Sequence, residues 1–287
     1  MKSAREILRQ YGVRPRRRYS QSFLEDRDVM ERILRLAAIE TGETVLEIGS
    51  GLGLLTERIA ERAGRVLAVE IDPELAEILR RRLGAAANVE ILNLDILKIE
   101  PSAWTGRSGS GRLKVVGNIP YNISSPILFR LLAHRSFLSS ATLMMQKEVA
   151  DRLTAARGSK EYGIPTVLFA MHASIRGGIQ VPPSCFFPSP RVHSRVLRFD
   201  FAEEPKAPLS DADFFTRVVR TSFGMRRKTL YNCLRKSGVA PEEEEELRRV
   251  LDAAGIDGMR RAETLTPEEF ARLSNVLREA RPIEAEP

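Results

Sequence analysis

The chain holds 287 residues, 43% of them hydrophobic, enough to bury a substantial core in one large domain or two modest ones. Its formal net charge is +7 and its isoelectric point about 9.7, a balance that suggests a polyanionic partner. It lacks a run of eighteen apolar residues, an apolar core in the first eighteen residues, and CxxC spacing around its two cysteines, Cys185 and Cys233. These absences argue against a membrane span, a secretory signal, a disulfide framework and a zinc site, and they fit a reducing cytoplasm.

Residues 1–22 read as a basic arm, partly helical and then extended, with Arg14, Arg16, Arg17 and Arg18 in one block. The amphipathic start at Ile7, Leu8 and Tyr11 leaves an organelle transit peptide open. The arm ends in Gln21-Ser22-Phe23-Leu24. Glu25 to Ala38 has the spacing of an amphipathic helix through Val29, Ile33, Leu34 and Ala37. Val45 to Ile48 reads as a short apolar strand, followed by Gly49-Ser50-Gly51-Leu52-Gly53 and a helix from Leu54 to Ala63. Arg65 to Ile71 is a second strand, and Asp72-Pro73 opens a helix that runs to Leu83. Val89 to Leu92 is a third strand, closed by Asn93-Leu94-Asp95. Pro101 to Arg112, rich in Ser and Gly, reads as a surface loop.

The apolar run Leu113 to Gly117 leads into Asn118-Ile119-Pro120-Tyr121. A helix is expected over Pro126–Ala133, a strand over Ala141–Met145, and helices over Gln146–Ala156 and Gly163–Met171. Ala173 to Val181 reads as a strand pair or a bent strand around Gly177-Gly178. Pro182 to Pro190 is a proline-rich loop, and Val192 to Phe201 alternates as a strand. Strands alternating with helices imply a parallel-type sheet covered on both faces, an α/β fold. Composition shifts at Glu203 to Leu209, which divides a domain over 23–204 from a helical one over 205–287. The latter carries helical patterns at 211–222, 226–237, 242–254 and 267–280. A second basic block, Arg226-Arg227-Lys228, lies there, and the acidic run Glu242 to Glu246 sits apart from it.

Three polar positions at consecutive strand ends point at one crevice. Glycines at 49 and 51 let the backbone approach a ligand, and the helix after them offers N–H groups. Glu70 can take both hydroxyls of a ribose, and Asp95 can accept from the amine of a bound adenine. NAD and S-adenosylmethionine share that diol, so Glu70 alone leaves both open, and each polar residue alone can be a helix cap. Asn118 to Tyr121 suits an exocyclic amine. An Asn118 side-chain oxygen accepts an amine hydrogen, Pro120 fixes the backbone and removes a donor, and Tyr121 offers a face for a splayed-out base. The alternative is a capping asparagine before a turn. Phe186 or Phe187 supplies a possible opposing wall, or a core aromatic. His134, His172 and His193 are scattered, and neither a nucleophile triad nor metal-ligand spacing is evident.

With these residues in place, the chain resembles the KsgA/RsmA family of ribosomal RNA adenine dimethyltransferases. The resemblance rests on Gln21-Ser22-Phe23-Leu24, Glu47-Ile48-Gly49-Ser50-Gly51, Asn118 to Ser124, Gln146-Lys147-Glu148-Val149 and Phe186-x-Pro188-x-Pro190. It continues through Phe223 to Leu230 and Arg261-Ala262-Glu263. It implies a Rossmann-like methyltransferase sheet with helices on both faces, plus a small all-helical C-terminal domain. S-adenosyl-L-methionine is then the donor, without a metal, for N6-dimethylation of two adjacent adenosines near the 3′ end of small-subunit (16S) rRNA during ribosome biogenesis. The expected partner is the small-subunit precursor, met in the cytoplasm by a monomeric enzyme.

By the same resemblance Ser22, Leu24, Gly49, Gly51, Glu70, Asp95 and Asn118 hold the cofactor. Asn118, Pro120, Tyr121 and Phe186 form the catalytic set, and Arg16, Arg17, Arg18, Arg226, Arg227 and Lys228 meet RNA. Two positions depart from the family pattern: Ser22 stands where asparagine is usual, and Ser50 where proline is common. The rivals are the erythromycin-resistance branch acting on large-subunit rRNA, a non-catalytic RNA-binding assembly factor, and a nicotinamide dehydrogenase.

Overall fold

The computed structural model describes residues 2–99 and 111–280, so most of the loop expected at 101–112 lies outside the described residues. Nine strands are present among them: β1 (Phe23–Leu24), β2 (Thr44–Ile48), β3 (Arg65–Glu70), β4 (Val89–Asn93), β5 (Leu113–Asn118), β6 (Leu138–Gln146), β7 (Ala173–Val181), β8 (Phe186–Phe187) and β9 (Ser194–Phe201). The chain divides into two compact units. One comprises 1–150 and 175–201, the other 151–174 and 202–287.

The first unit is built on a seven-stranded sheet in the order β4-β3-β2-β5-β6-β9-β7. β2 and β5 are near-continuous apolar runs because both their faces are covered: Val45, Leu46, Val115 and Val116 are at most 1% exposed. The pairs β2–β3, β2–β5, β3–β4 and β5–β6 are parallel. Their registers align Ile48 with Val69 and Gly117, and Glu70 with Asn93, so the carboxyl ends of four strands finish in one row. From β2 the chain winds outward through β3 and β4, then returns to place β5 on the other side of β2. The strand order therefore reverses between β2 and β5, and a crevice opens at such a point. The sheet is mixed rather than wholly parallel, because β9 runs antiparallel to β6. That reversal brings the first residue of β9, Ser194, opposite Gln146 at the end of β6.

Helices lie against this sheet where the apolar spacing predicts them. The helix Arg27–Ala37 buries Val29, Met30, Ile33, Leu34 and Ala37 and is capped by the Asp26 carboxylate. Pro73–Leu83 starts at a proline with Asp72 as its cap. The arginine-rich start forms a helix, Ala4–Tyr11, whose Ala4, Ile7 and Leu8 join the hydrophobic cluster around Leu24 and Phe186. A two-stranded ribbon pairs β1 with β8, matching Phe23 with Phe187 and Leu24 with Phe186. Ala173 to Val181 is one strand. Gly177 has φ +99°, and a Cβ there would come within 2.9 Å of Leu36, so glycine admits that side chain.

The second unit is helical apart from its share of β7, with helices Ile164–His172, Ala212–Ser222, Leu230–Leu234, Glu244–Ala253 and Pro267–Glu279. The helix expected over 226–237 is only five residues long. Residues 223–228 are turns, Thr229 caps the helix by accepting from the Asn232 N–H, and Lys236 at φ +61° ends it. No helix among the described residues is long and apolar enough to cross a membrane.

Candidate active site

The crevice at the β2/β5 reversal is lined by the glycine loop, the strand-end acids, the Asn118 to Tyr121 turn and the segment Tyr19–Leu24. The glycine loop is held from below. The N–H groups of Gly49 and Ser50 donate to the Val69 carbonyl at 2.9 and 3.1 Å, and Gly51 N–H donates to Glu70 Oε2 at 2.8 Å. These three N–H groups are therefore spent on the protein rather than offered to a ligand. Gly49 has φ +75°, and a Cβ there would stand 3.2 Å from the Asn118 carbonyl, so the absence of a side chain lets the loop meet the end of β5.

Glu70 is 5% exposed. Its second oxygen accepts from Asp72 N–H at 2.8 Å. Burial raises its carboxyl above the usual carboxylate range, opposed by the N–H groups of Asp72 and Gly51. Each oxygen accepts one of these bonds, which leaves acceptor capacity on both. Asp95 caps the short turn Ile96–Lys98 by accepting from Leu97 N–H at 3.0 Å through Oδ1, and it also lines the crevice. The cap and the site are thus the same residue.

Asn118 ends β5 with its amide already oriented. Its Nδ2 donates to the Ser22 carbonyl at 2.9 Å, so Oδ1 is the end of the amide left to accept from a ligand. The Ser22 hydroxyl donates to the Pro188 carbonyl at 2.7 Å. One residue thereby ties together the N-terminal segment, the end of β5 and the proline-rich loop. Tyr121 sits on the single turn Tyr121–Ile123, and its phenol shares a 2.6 Å hydrogen bond with Ser194 Oγ. Burial pushes that phenol up, with Ser194 partly opposing.

A model of the family described as "Ribosomal RNA adenine dimethylase" matches residues 12–279. The chain belongs to that family. As a member of the ribosomal RNA adenine dimethylase family it is a methyltransferase, and the family depends on S-adenosyl-L-methionine. The "Ribosomal RNA small subunit methyltransferase A" of Syntrophus aciditrophicus is 45% identical over 96% of this chain and 99% of its own length. Among solved structures, a dimethyladenosine transferase from Plasmodium falciparum superposes with a TM-score of 0.76 at 24% identity, over 90% of this chain and 98% of its own. The 23S rRNA methyltransferase ErmE does so at 0.66 and 29% identity, over 89% and 99%. The sheet is thus a Rossmann-like methyltransferase fold.

The crevice fits the family's cofactor by its chemistry. Glu70 and Asp95 supply acceptors for hydroxyls and an amine, and Ile48, Ile71, Leu94 and Ile96 supply apolar walls. Ser22, Leu24, Gly49 and Gly51 line the same space. Among the described residues no acidic, histidine or cysteine cluster with the form of a metal site occurs.

Several residues of this family member lie elsewhere than expected. Phe186, matched with Leu24 in the ribbon, is 5% exposed within the apolar cluster and is not among the residues that line the crevice. Phe187 is half-buried under the Arg5 guanidinium, 4.7 Å from its ring centroid. Arg16, one-third exposed, pairs with Asp72 at 3.0 Å and Glu74 at 2.7 Å, so its guanidinium is engaged at the start of the helix Pro73–Leu83. Arg18 is exposed over its neighbour Tyr19, and the side chain of Arg17 lies outside the described ones. Arg226, Arg227 and Lys228 are exposed on the turns after Ser222. Glu47 is a buried acid of the site that is not among the expected site residues. It lies 2% exposed beneath the glycine loop, accepts from the Thr56 hydroxyl at 2.5 Å, and burial pushes its carboxyl up to about 7. A lone acid inside the apolar run Val45 to Ile48 was the available signal.

Proposed function

We propose that the chain dimethylates N6 of two adjacent adenosines near the 3′ end of small-subunit (16S) rRNA, on a small-subunit precursor, acting as a cytoplasmic monomer during ribosome biogenesis. The observation that carries the chemistry is the Asn118 amide, which lines the crevice and is anchored through Nδ2, so that Oδ1 is the end left to accept. The small-subunit assignment rests on the name carried by the relative from Syntrophus.

When bound, S-adenosyl-L-methionine supplies an electrophilic methyl group whose leaving thioether departs neutral. Asn118 Oδ1 accepts a hydrogen of the adenine amine and holds the nitrogen in line. Pro120 has no N–H, so no donor competes at that point. Tyr121 offers its ring face to the unstacked base. Glu70 holds the ribose hydroxyls of the cofactor, and Asp95 its adenine amine. Ser22, Leu24, Gly49 and Gly51 shape the pocket around the rest. Catalysis is then positioning and exclusion of water, with the rate sensitive to displacements of about 1 Å. Residues 205–287 serve as the RNA-binding part, with Arg226, Arg227 and Lys228 on phosphates, and Arg17 and Arg18 add charge from the N-terminal side.

The likeness to ErmE favours one second reading, methylation of an adenine in large-subunit rRNA. Methylation of immature small and large subunits, with dimethyladenosine mapped in each, separates the two. Label in the small subunit alone is expected, and label confined to the large one overturns the proposal. Asn118→Ala is expected to lower turnover at least about 100-fold while the protein still folds and binds RNA. Near-normal methylation by that variant would remove the role given to the amide.

A further inference from the structure

Tyr121 opens a single turn of three residues. Its backbone is held by the Ser124 hydroxyl, which donates to the Pro120 and Tyr121 carbonyls at 3.0 and 3.2 Å. That leaves the two side-chain torsions. The far end of the ring reaches Ser194, whose hydroxyl lies 2.6 Å from the phenol oxygen and which is 0% exposed. Ser194 opens β9, the strand that runs antiparallel to β6 and is matched with Gln146, while Asn118 is matched with Met144 on the other edge of β6. The reversed strand thus delivers a buried hydroxyl to the same end of the sheet as the acceptor amide.

We propose that Ser194 is a positioning residue of the base site, its hydroxyl locking the Tyr121 ring in the plane on which the target adenine stacks. The proposal rests on the stacking role given to Tyr121 above. Ser194 touches neither substrate nor cofactor in this scheme; it acts through the phenol. Ser194 is fully buried and Tyr121 half-buried, so losing the phenol leaves the Ser194 hydroxyl short of this partner away from water.

The test is a double-mutant cycle in the full chain with Ser194→Ala and Tyr121→Phe, using small-subunit particles that lack dimethyladenosine as substrate. Turnover, KM for the particle, cofactor affinity by calorimetry and thermal midpoint are measured together. Each single variant is expected to lower kcat by about 10- to 100-fold with cofactor affinity within twofold of the parent. The double variant should be no slower than either single one, since both remove the same bond. Ser194→Thr, which keeps a hydroxyl, should regain much of the rate. Should Ser194→Ala fail to fold, Tyr121→Phe breaks the bond from the other side without touching β9. Additive losses in the cycle, or normal turnover by Ser194→Ala beside an impaired Tyr121→Ala, overturn the proposal. Normal turnover by Tyr121→Ala overturns the stacking reading itself, and the role of Ser194 with it.

Discussion

Glu47 is an acid on a strand whose neighbours Leu46 and Ile48 are wholly buried, with the Thr56 hydroxyl donating to its carboxylate. Its carboxyl stands at about 7 against an ordinary value of 4.5, chiefly because burial disfavours the charge. Between those values the unfolded chain has released the proton and the folded chain still holds it. The folded state therefore loses stability as pH rises through that window, by about 3 kcal/mol in all. Glu47→Gln keeps an acceptor for Thr56 and removes the titration. Denaturant unfolding at pH 5 and pH 8 should show a fall in stability for the parent that is smaller by about this amount in the variant. An identical fall in both would show that the group is not buried as a neutral acid. Glu70 is placed for a different task, since its lone pairs remain available beside two backbone donors. Glu70→Ala should weaken cofactor binding about 10- to 100-fold by calorimetry, the worth of hydrogen bonds to a charged acceptor. These two acids look alike in sequence, each at or next to the end of an apolar strand. Only the neighbours brought in by the fold tell them apart.

At the level of elements, the segment from Arg16 to Leu24 does work that an arm for RNA would not. Arg16 and Gln21 both donate to the Asp72 carboxylate, which is 1% exposed on its side chain, and Ser22 reaches Asn118 and Pro188. This strap fixes the start of the helix Pro73–Leu83, and with it the Asp72 N–H that holds Glu70. Removing Arg16 leaves a buried carboxylate short of its ion pair, while Gln21 and the Glu74 N–H remain. Arg16→Ala should thus lower stability by about 1–3 kcal/mol, discounted from a fully buried pair because Arg16 is one-third exposed. Cofactor affinity should fall with it, and the salt dependence of RNA binding should stay as it was. A changed salt slope with unchanged stability would return Arg16 to the RNA-facing set. The strap was illegible because an arginine's partner is set by where Asp72 lands, and β1 and β8 are each too short to show any periodicity.

For the whole molecule, the basic excess is divided between internal pairing and exposed charge. Arg16, Arg82 and Arg198 are bound to acids of the chain, whereas Arg226, Arg227 and Lys228 stand exposed on turns. Replacing those three by alanine should weaken RNA binding and flatten the plot of log K against log salt by about 2–3 units, at most one per lost charge. An unchanged slope would show that they face away from RNA. The sequence by itself determined the strand–helix alternation, the strand-end positions of Glu70, Asp95 and Asn118, and the helical character of the C-terminal part. Those follow from apolar periodicity, glycine and proline punctuation, and caps, which act over a few residues. The tertiary structure alone decided that the crevice opens between β2 and β5, that Phe186 packs into the core, that Ser22 anchors the Asn118 amide, and that Ser194 meets Tyr121. Each of these depends on residues up to 166 positions apart in the chain, as Ser22 and Pro188 are. The pairing of distant segments comes from strand order and register, and local spacing carries no record of either.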